Sequence, residues 1–208
     1  MDTLFALLIA TVASFIGSLQ AGLVNTAVLT ATLRHGAESG RRTALGGALP
    51  EFLYAALAFM GAGQVMAFTA SKGITPEHVT GVVLVLLGVY IAFLMKPFHI
   101  REGEEGRRGG LARGLLLGLM NPQLLLFWCG IRLGMEAVGV HAQGWPDAIA
   151  FGLGAFIGAL ALLLLLVRLG NRLLEAWGAH LLHRVFRILG FVLIVIGVLA
   201  FLPVARRL

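Results

Sequence analysis

The sequence predicts an all-α integral membrane protein of six transmembrane helices, arranged as two inverted three-helix repeats with the first and fourth helices broken. Three observations lead there. Of the 208 residues 59% are hydrophobic and 12% charged, against roughly 25% charged in ordinary soluble proteins, so polar material is too scarce to coat a globule. Uncharged apolar runs exceed the roughly 18 residues that mark a bilayer span. The two halves of the chain also share a faint self-similarity.

Residues 3–33 carry no charge, a run longer than the about 20 residues that one upright helix needs. Its middle, Gly17-Ser18-Leu19-Gln20-Ala21-Gly22, supplies a break, with Gly17, Ala21 and Gly22 as the break positions. Met1-Asp2-Thr3 lacks the positive n-region of a cleavable signal peptide, so this segment is read as retained. The second span covers 44–68 and contains Pro50 and Glu51; the third covers 79–95 and stops before Lys96-Pro97. A polar linker at 96–113 divides the chain. The fourth span, 114–131, carries Asn121-Pro122; the fifth is 149–167 and the sixth 188–204. Loops this short leave no room for a second domain. The reading is one domain over 1–208, with a first repeat at 1–95 and a second at 114–208.

Net charge is +6, from 14 Arg and two Lys. These lie between apolar runs, as topogenic charge against anionic lipid headgroups does, and no nucleic-acid partner is expected. Arg34, Arg41, Arg42, Lys96, Arg101, Arg107, Arg108, Arg113, Arg168, Arg172, Arg184 and Arg187 fall on one side; Lys72, Arg132, Arg206 and Arg207 fall on the other. The positive-inside rule puts the first set in the cytoplasm and both termini outside. A re-entrant first segment would move the N-terminus inside. Between 170 and 187, Leu173, Trp177, Leu181 and Val185 recur at i+4, as in an interfacial helix; an extension of span five or six reads equally well. Trp145 and Trp177 fit interfacial anchors.

Gly81 to Val89 matches Gly190 to Val198 with both glycines in register, so span three resembles span six. Sliding span one onto span four lays Gly17 on Gly118, Gln20 on Asn121 and Ala21 on Pro122. An odd number of crossings per half reverses the second half, giving the inverted repeat of secondary transporters. Broken backbone at membrane depth needs protein or a water-filled cavity around it, so a cavity is expected between spans one and four. The alternative is two unrelated helices that each contain an amide.

Glu51 is the one acid well inside a span. A carboxyl there by default marks a pathway or a proton site; the plainer reading is a permanently neutral acid bonded to a neighbour such as Tyr54, one turn on. Gln20, Asn25, Asn121 and Gln123 are uncharged amides near the breaks, suited to binding a solute's carboxylate or ammonium, or to joining helices. Gly154 and Gly158 permit close helix approach, within the monomer or at a dimer contact. Cys129 is the single cysteine, so no intramolecular disulfide can form. The histidines fall in loops or at interfaces, and no HExxH, GxSxG or Walker signature is present, so neither an enzyme, a metal site nor a cofactor is expected.

These residues resemble the LysE/RhtB amino-acid exporter family. Leu33-Arg34-His35-Gly36-Ala37-Glu38-Ser39-Gly40, followed by Gly46 and Glu51, is similar to the family's G-x-x-x-G loop and the start of its second span. Gly118-Leu119-Met120-Asn121-Pro122-Gln123 is similar to its N-P-K-type motif. Where the family has P-G-P this chain has Ala21-Gly22-Leu23, and the lysine after N-P is Gln123. The resemblance implies export of amino acids or related small solutes from the cytoplasm across a bacterial inner membrane, driven by protons, with a homodimer.

The expected protein is thus a proton-coupled exporter working by alternating access. Glu51 would exchange the proton; Gln20, Asn25, Tyr54, Asn121 and Gln123 would face substrate; Gly17, Ala21, Gly22 and Pro122 would set the breaks. A cation or metal exporter of the wider LysE superfamily would need more midplane acids or histidines than Glu51 supplies. A non-transporting membrane scaffold would have no solute-accessible cavity.

Overall fold

The computed structural model describes residues 2–19, 22–73, 76–89, 92–93, 110–121, 123–137, 140, 142–177, 187–188, 191, 194–195 and 197–199. Gln20, Ala21, Pro122, most of the linker at 96–113, the 178–186 part of the proposed interfacial segment and much of the sixth span lie outside the described residues. Among the described residues the elements are all helical: α1 (Asp2–Gly17), α2 (Leu23–His35), α3 (Ala37–Ser71), α4 (Pro76–Val89), α5 (Gly110–Leu119), α6 (Gln123–Ala137) and α7 (Trp145–Trp177).

The long uncharged first segment is two helices. α1 stops at Gly17, and α2 starts after Gly22, whose backbone is extended (φ −102°, ψ −177°). That conformation is open to any residue, so Gly22 is not required there for its backbone freedom. α2 closes on Arg34 and His35, and the Arg34 cation is favoured at a helix C-terminus. Gly36 then takes φ +85° and donates its N–H to Thr32 O at 3.0 Å, the left-handed stop that only glycine adopts cheaply. α3 runs on through Pro50, and its segment Ala37–Gln64 is long and apolar enough to cross a membrane.

The fourth segment is also two helices. α5 and α6 meet at a 64° bend around the Asn121 break, and together they qualify as one bent span. α5 starts at Gly110, inside the stretch expected to be linker. α7 begins behind Gly144 (φ +93°) with Pro146 and Asp147 in its first turn, where a missing N–H and a negative charge both suit a helix start. Its segment Trp145–Leu169 is a further membrane-length helix. α7 continues unbroken to Trp177, so at 170–177 the extension reading holds and the separate interfacial helix does not.

Packing is inverted relative to a soluble protein. Leu45, Leu49, Leu53 and Leu57 on α3, and Ile149, Leu153 and Ile157 on α7, are exposed at i+4 spacing, while Ala44, Ala48, Ala55, Ala58, Ala155 and Ala159 are buried. Large apolar side chains face outward where lipid would meet them, and small ones let backbones approach. On α7 the approach is to α1: a Cβ on Gly154 or Gly158 would come within 2.3 Å of Leu7 O or 2.2 Å of Thr11 O. Gly154 and Gly158 therefore serve a contact inside the monomer. On α5 the approach is to α3, where a Cβ on Gly114 would lie 2.1 Å from Thr43 O.

Both broken segments advance in parallel with a long helix of the other half. Along α7, the Thr3 hydroxyl bonds Asp147, Ser14 Oγ donates to Ala155 O at 2.6 Å, and Thr32 and Val167 both flank Gly40. Along α3, Gly110 lies against Arg42, Gly118 against Pro50, and Arg132 over Phe59. Because α2 carries on in the direction of α1, the first segment does not double back.

Candidate functional site

Glu51 is buried on α3, 9% exposed, and faces α6. There the fully buried Trp128 donates its indole Nε1–H to Glu51 Oε2 at 2.7 Å. Trp128 is held edge-on by Phe127 and by Phe151 of α7, at ring centroid distances of 5.0 and 5.2 Å, and Phe151 leans on Phe59 at 5.4 Å. Offset and edge-to-face rings of this kind fix one another's orientation. The indole N–H is thus aimed at the carboxyl by packing from three helices. Tyr54, the neighbour that the plainer reading of a neutral Glu51 would use, donates its hydroxyl to Leu119 O at 2.7 Å. The break after α5 frees that carbonyl from helical bonding, and an unpaired carbonyl is the stronger claim on a nearby hydroxyl.

The amides brace the breaks in this conformation. Asn121 Oδ1 accepts the Gln123 backbone N–H at 3.2 Å, a side-chain cap on the start of α6. Asn25 Nδ2 reaches back to Ser18 O at 2.7 Å and satisfies a carbonyl left over at the end of α1. Gln123 opens α6. A Cβ on Gly17 would come within 2.9 Å of Phe127, so beside the breaks the described residues of the first and fourth segments are in contact. The structure thus brings Glu51 and Tyr54 to the α5–α6 break with Asn121 and Gln123, while Asn25, Gly17 and Gly22 belong to the other break. Gln20, Ala21 and Pro122 lie outside the described residues.

Arg132 corrects the sequence reading. Counted as a loop charge beyond the fourth span, it lies inside α6, one turn after Trp128, and is 3% exposed. α6 runs two turns past Trp128 to Ala137 because the charge is matched locally: Arg132 Nη2 donates to Glu136 Oε1 at 2.6 Å and to Ala142 O at 2.9 Å. The Phe59 ring lies 4.6 Å from the guanidinium, within cation–π reach. The recurrence of Trp128, Arg132 and Glu136 at i+4 was the signal for one continuous buried face. Asp147 was also missed; it is buried, accepting the Gln143 N–H at 2.7 Å and the Thr3 hydroxyl.

Apolar outer faces, glycine-mediated helix contacts and helices of membrane-spanning length are those of an α-helical membrane protein. The model of the LysE type translocator family matches residues 15–202, and the chain belongs to that family. No curated protein and no solved structure matches the chain.

Proposed function

We propose that the chain is a secondary-active, proton-coupled exporter of amino acids or related small metabolites in the bacterial inner membrane. It works by alternating access of two inverted three-helix halves, 1–95 and 114–208. The observation that carries this reading is the buried Glu51 bonded to Trp128 across α3 and the broken α5–α6 segment. An ionised carboxylate holds the indole N–H more strongly than a protonated one does. Loading or removing a proton at Glu51 therefore changes how firmly α3 grips α6 beside the bend, which is the coupling that proton-driven transport requires.

Two further features support the inverted halves. Each broken segment runs parallel to the long helix of the opposite half, so exchanging the halves reproduces the pairing. The matching segments of spans three and six also meet, with a Cβ on Gly197 falling 2.8 Å from Gly81 O. In this reading the solute enters between the breaks and competes for Gln20, Asn25, Asn121 and Gln123, with Tyr54 beside them. A homodimer would use a surface other than the Gly154–Gly158 stripe, which α1 covers. A metabolite-export screen in cells overproducing the protein, followed by efflux from loaded proteoliposomes with the found solute, tests the reading. Efflux that a pH gradient accelerates is expected; no efflux of any screened metabolite would contradict it.

A further inference from the structure

Arg132 holds a second polar centre that Glu51 and the breaks do not use. Its guanidinium carries five N–H donors. Nη2 is taken by Glu136 and Ala142 O, but Nε and Nη1 are buried and have no partner among the described residues. A buried cation with unmet donors is costly, and the cost falls when an acceptor from outside the chain occupies them. The same side chain lines a cleft of about 400 Å³ with Phe59 and Gly63 of α3, Leu133 and Glu136 of α6, and Gln143. Small-molecule sites commonly span about 300–1,000 Å³.

We propose that this cleft binds a small solute through its carboxylate, with the under-satisfied Arg132 guanidinium as the donor group. An anionic oxygen is the acceptor that offsets a buried guanidinium best. Phe59 and Leu133 supply apolar walls for the rest of the solute. Glu136, with its side chain 21% exposed, sets a negative charge beside the cleft. That charge repels a bare anion and favours a solute carrying a cationic nitrogen next to its carboxylate. As a station on an export route the cleft rests on the exporter reading; as a binding site it stands alone.

The test is thermal unfolding of the full-length protein in lipid nanodiscs, at constant ionic strength. The probes are glycine, acetate, ethylamine, chloride and phosphate. Glycine is expected to raise Tm saturably and acetate to do so more weakly, with no shift from ethylamine, chloride or phosphate. Arg132→Lys, which keeps the charge but loses two donors, should weaken the glycine effect about tenfold or more. Gly63→Phe should abolish it, because Gly63 lines the cleft and has room for a side chain, with no atom within 4 Å of an added Cβ. The inference is overturned if no carboxylate protects the wild type, if chloride or phosphate protects as well as glycine, or if Arg132→Lys is protected equally. Should Arg132→Lys not fold, unchanged protection of Gly63→Phe has the same force. Binding without efflux would retire the exporter reading and leave the site, whereas efflux with an unchanged KM in Arg132→Lys would do the reverse.

Discussion

The two broken segments share an architecture and differ in what holds the break. At the first, α1 ends on Gly17, α2 starts behind an extended Gly22 with no side-chain cap, and the bracing bond comes from Asn25 of the same segment. At the second, Asn121 caps α6, and Tyr54 reaches over from α3, one turn beyond Glu51, to hold Leu119 O. One break is braced locally; the other is tied to the helix that carries the acid. Between Asp147 and Glu175, α7 offers no acid of its own to the first break. The two segments therefore share a packing pattern, while the buried acid lies beside one of them.

The largest effects should come from the shared packing and should not distinguish the two sides. Gly114→Leu and Gly158→Leu each drive a side chain into a backbone carbonyl of the facing helix. Both should cost about 3 kcal/mol or more, seen as loss of monodisperse protein on size exclusion in detergent. A tolerated Gly158→Leu beside a lethal Gly114→Leu would show that the α1–α7 contact is looser than its counterpart.

Tyr54→Phe and Asn25→Ala separate the breaks. Each removes at least one hydrogen bond worth about 1 kcal/mol, so Tm should fall by about 2–4 °C or more in both. Only Tyr54→Phe should also change the pH dependence of efflux, because its bond ties the break to the Glu51 helix. An altered pH profile in Asn25→Ala would contradict the division. Ser14→Ala, which loses the bond to Ala155 O, should have the smallest effect, about 0.6 kcal/mol by analogy with hydrogen bonds between membrane helices.

Both breaks were legible in the sequence because they follow from local rules. A run of uncharged residues too long for one helix must bend, and Asn121-Pro122 is a helix start written in side chains. The isolation of Glu51 was equally plain. Its partner was not, since Trp128 reaches Glu51 only when α6, beyond the bend, packs along α3. Spacing along one helix shows Tyr54 one turn from Glu51, but the carbonyl it bonds, freed at Leu119, lies on another element. Arg132 was mistaken for a loop charge because hydropathy ends a span at any charge, whereas Glu136, Ala142 O and Phe59 make this one tolerable inside. The 170–177 stretch has the period of a surface helix, a pattern that a continuation of α7 satisfies just as well.

The central claim is that the acid at the second break couples protons to transport. It is tested most directly by efflux of the identified solute from proteoliposomes, with and without an imposed pH gradient, for wild type and Glu51→Gln. The variant keeps an acceptor for Trp128 Nε1–H but cannot exchange a proton. The expected result is that a gradient of about one pH unit, which carries about 1.4 kcal/mol per proton, accelerates wild-type efflux by up to about tenfold and leaves Glu51→Gln efflux unchanged. Gradient-driven efflux at the wild-type rate in Glu51→Gln would contradict the claim.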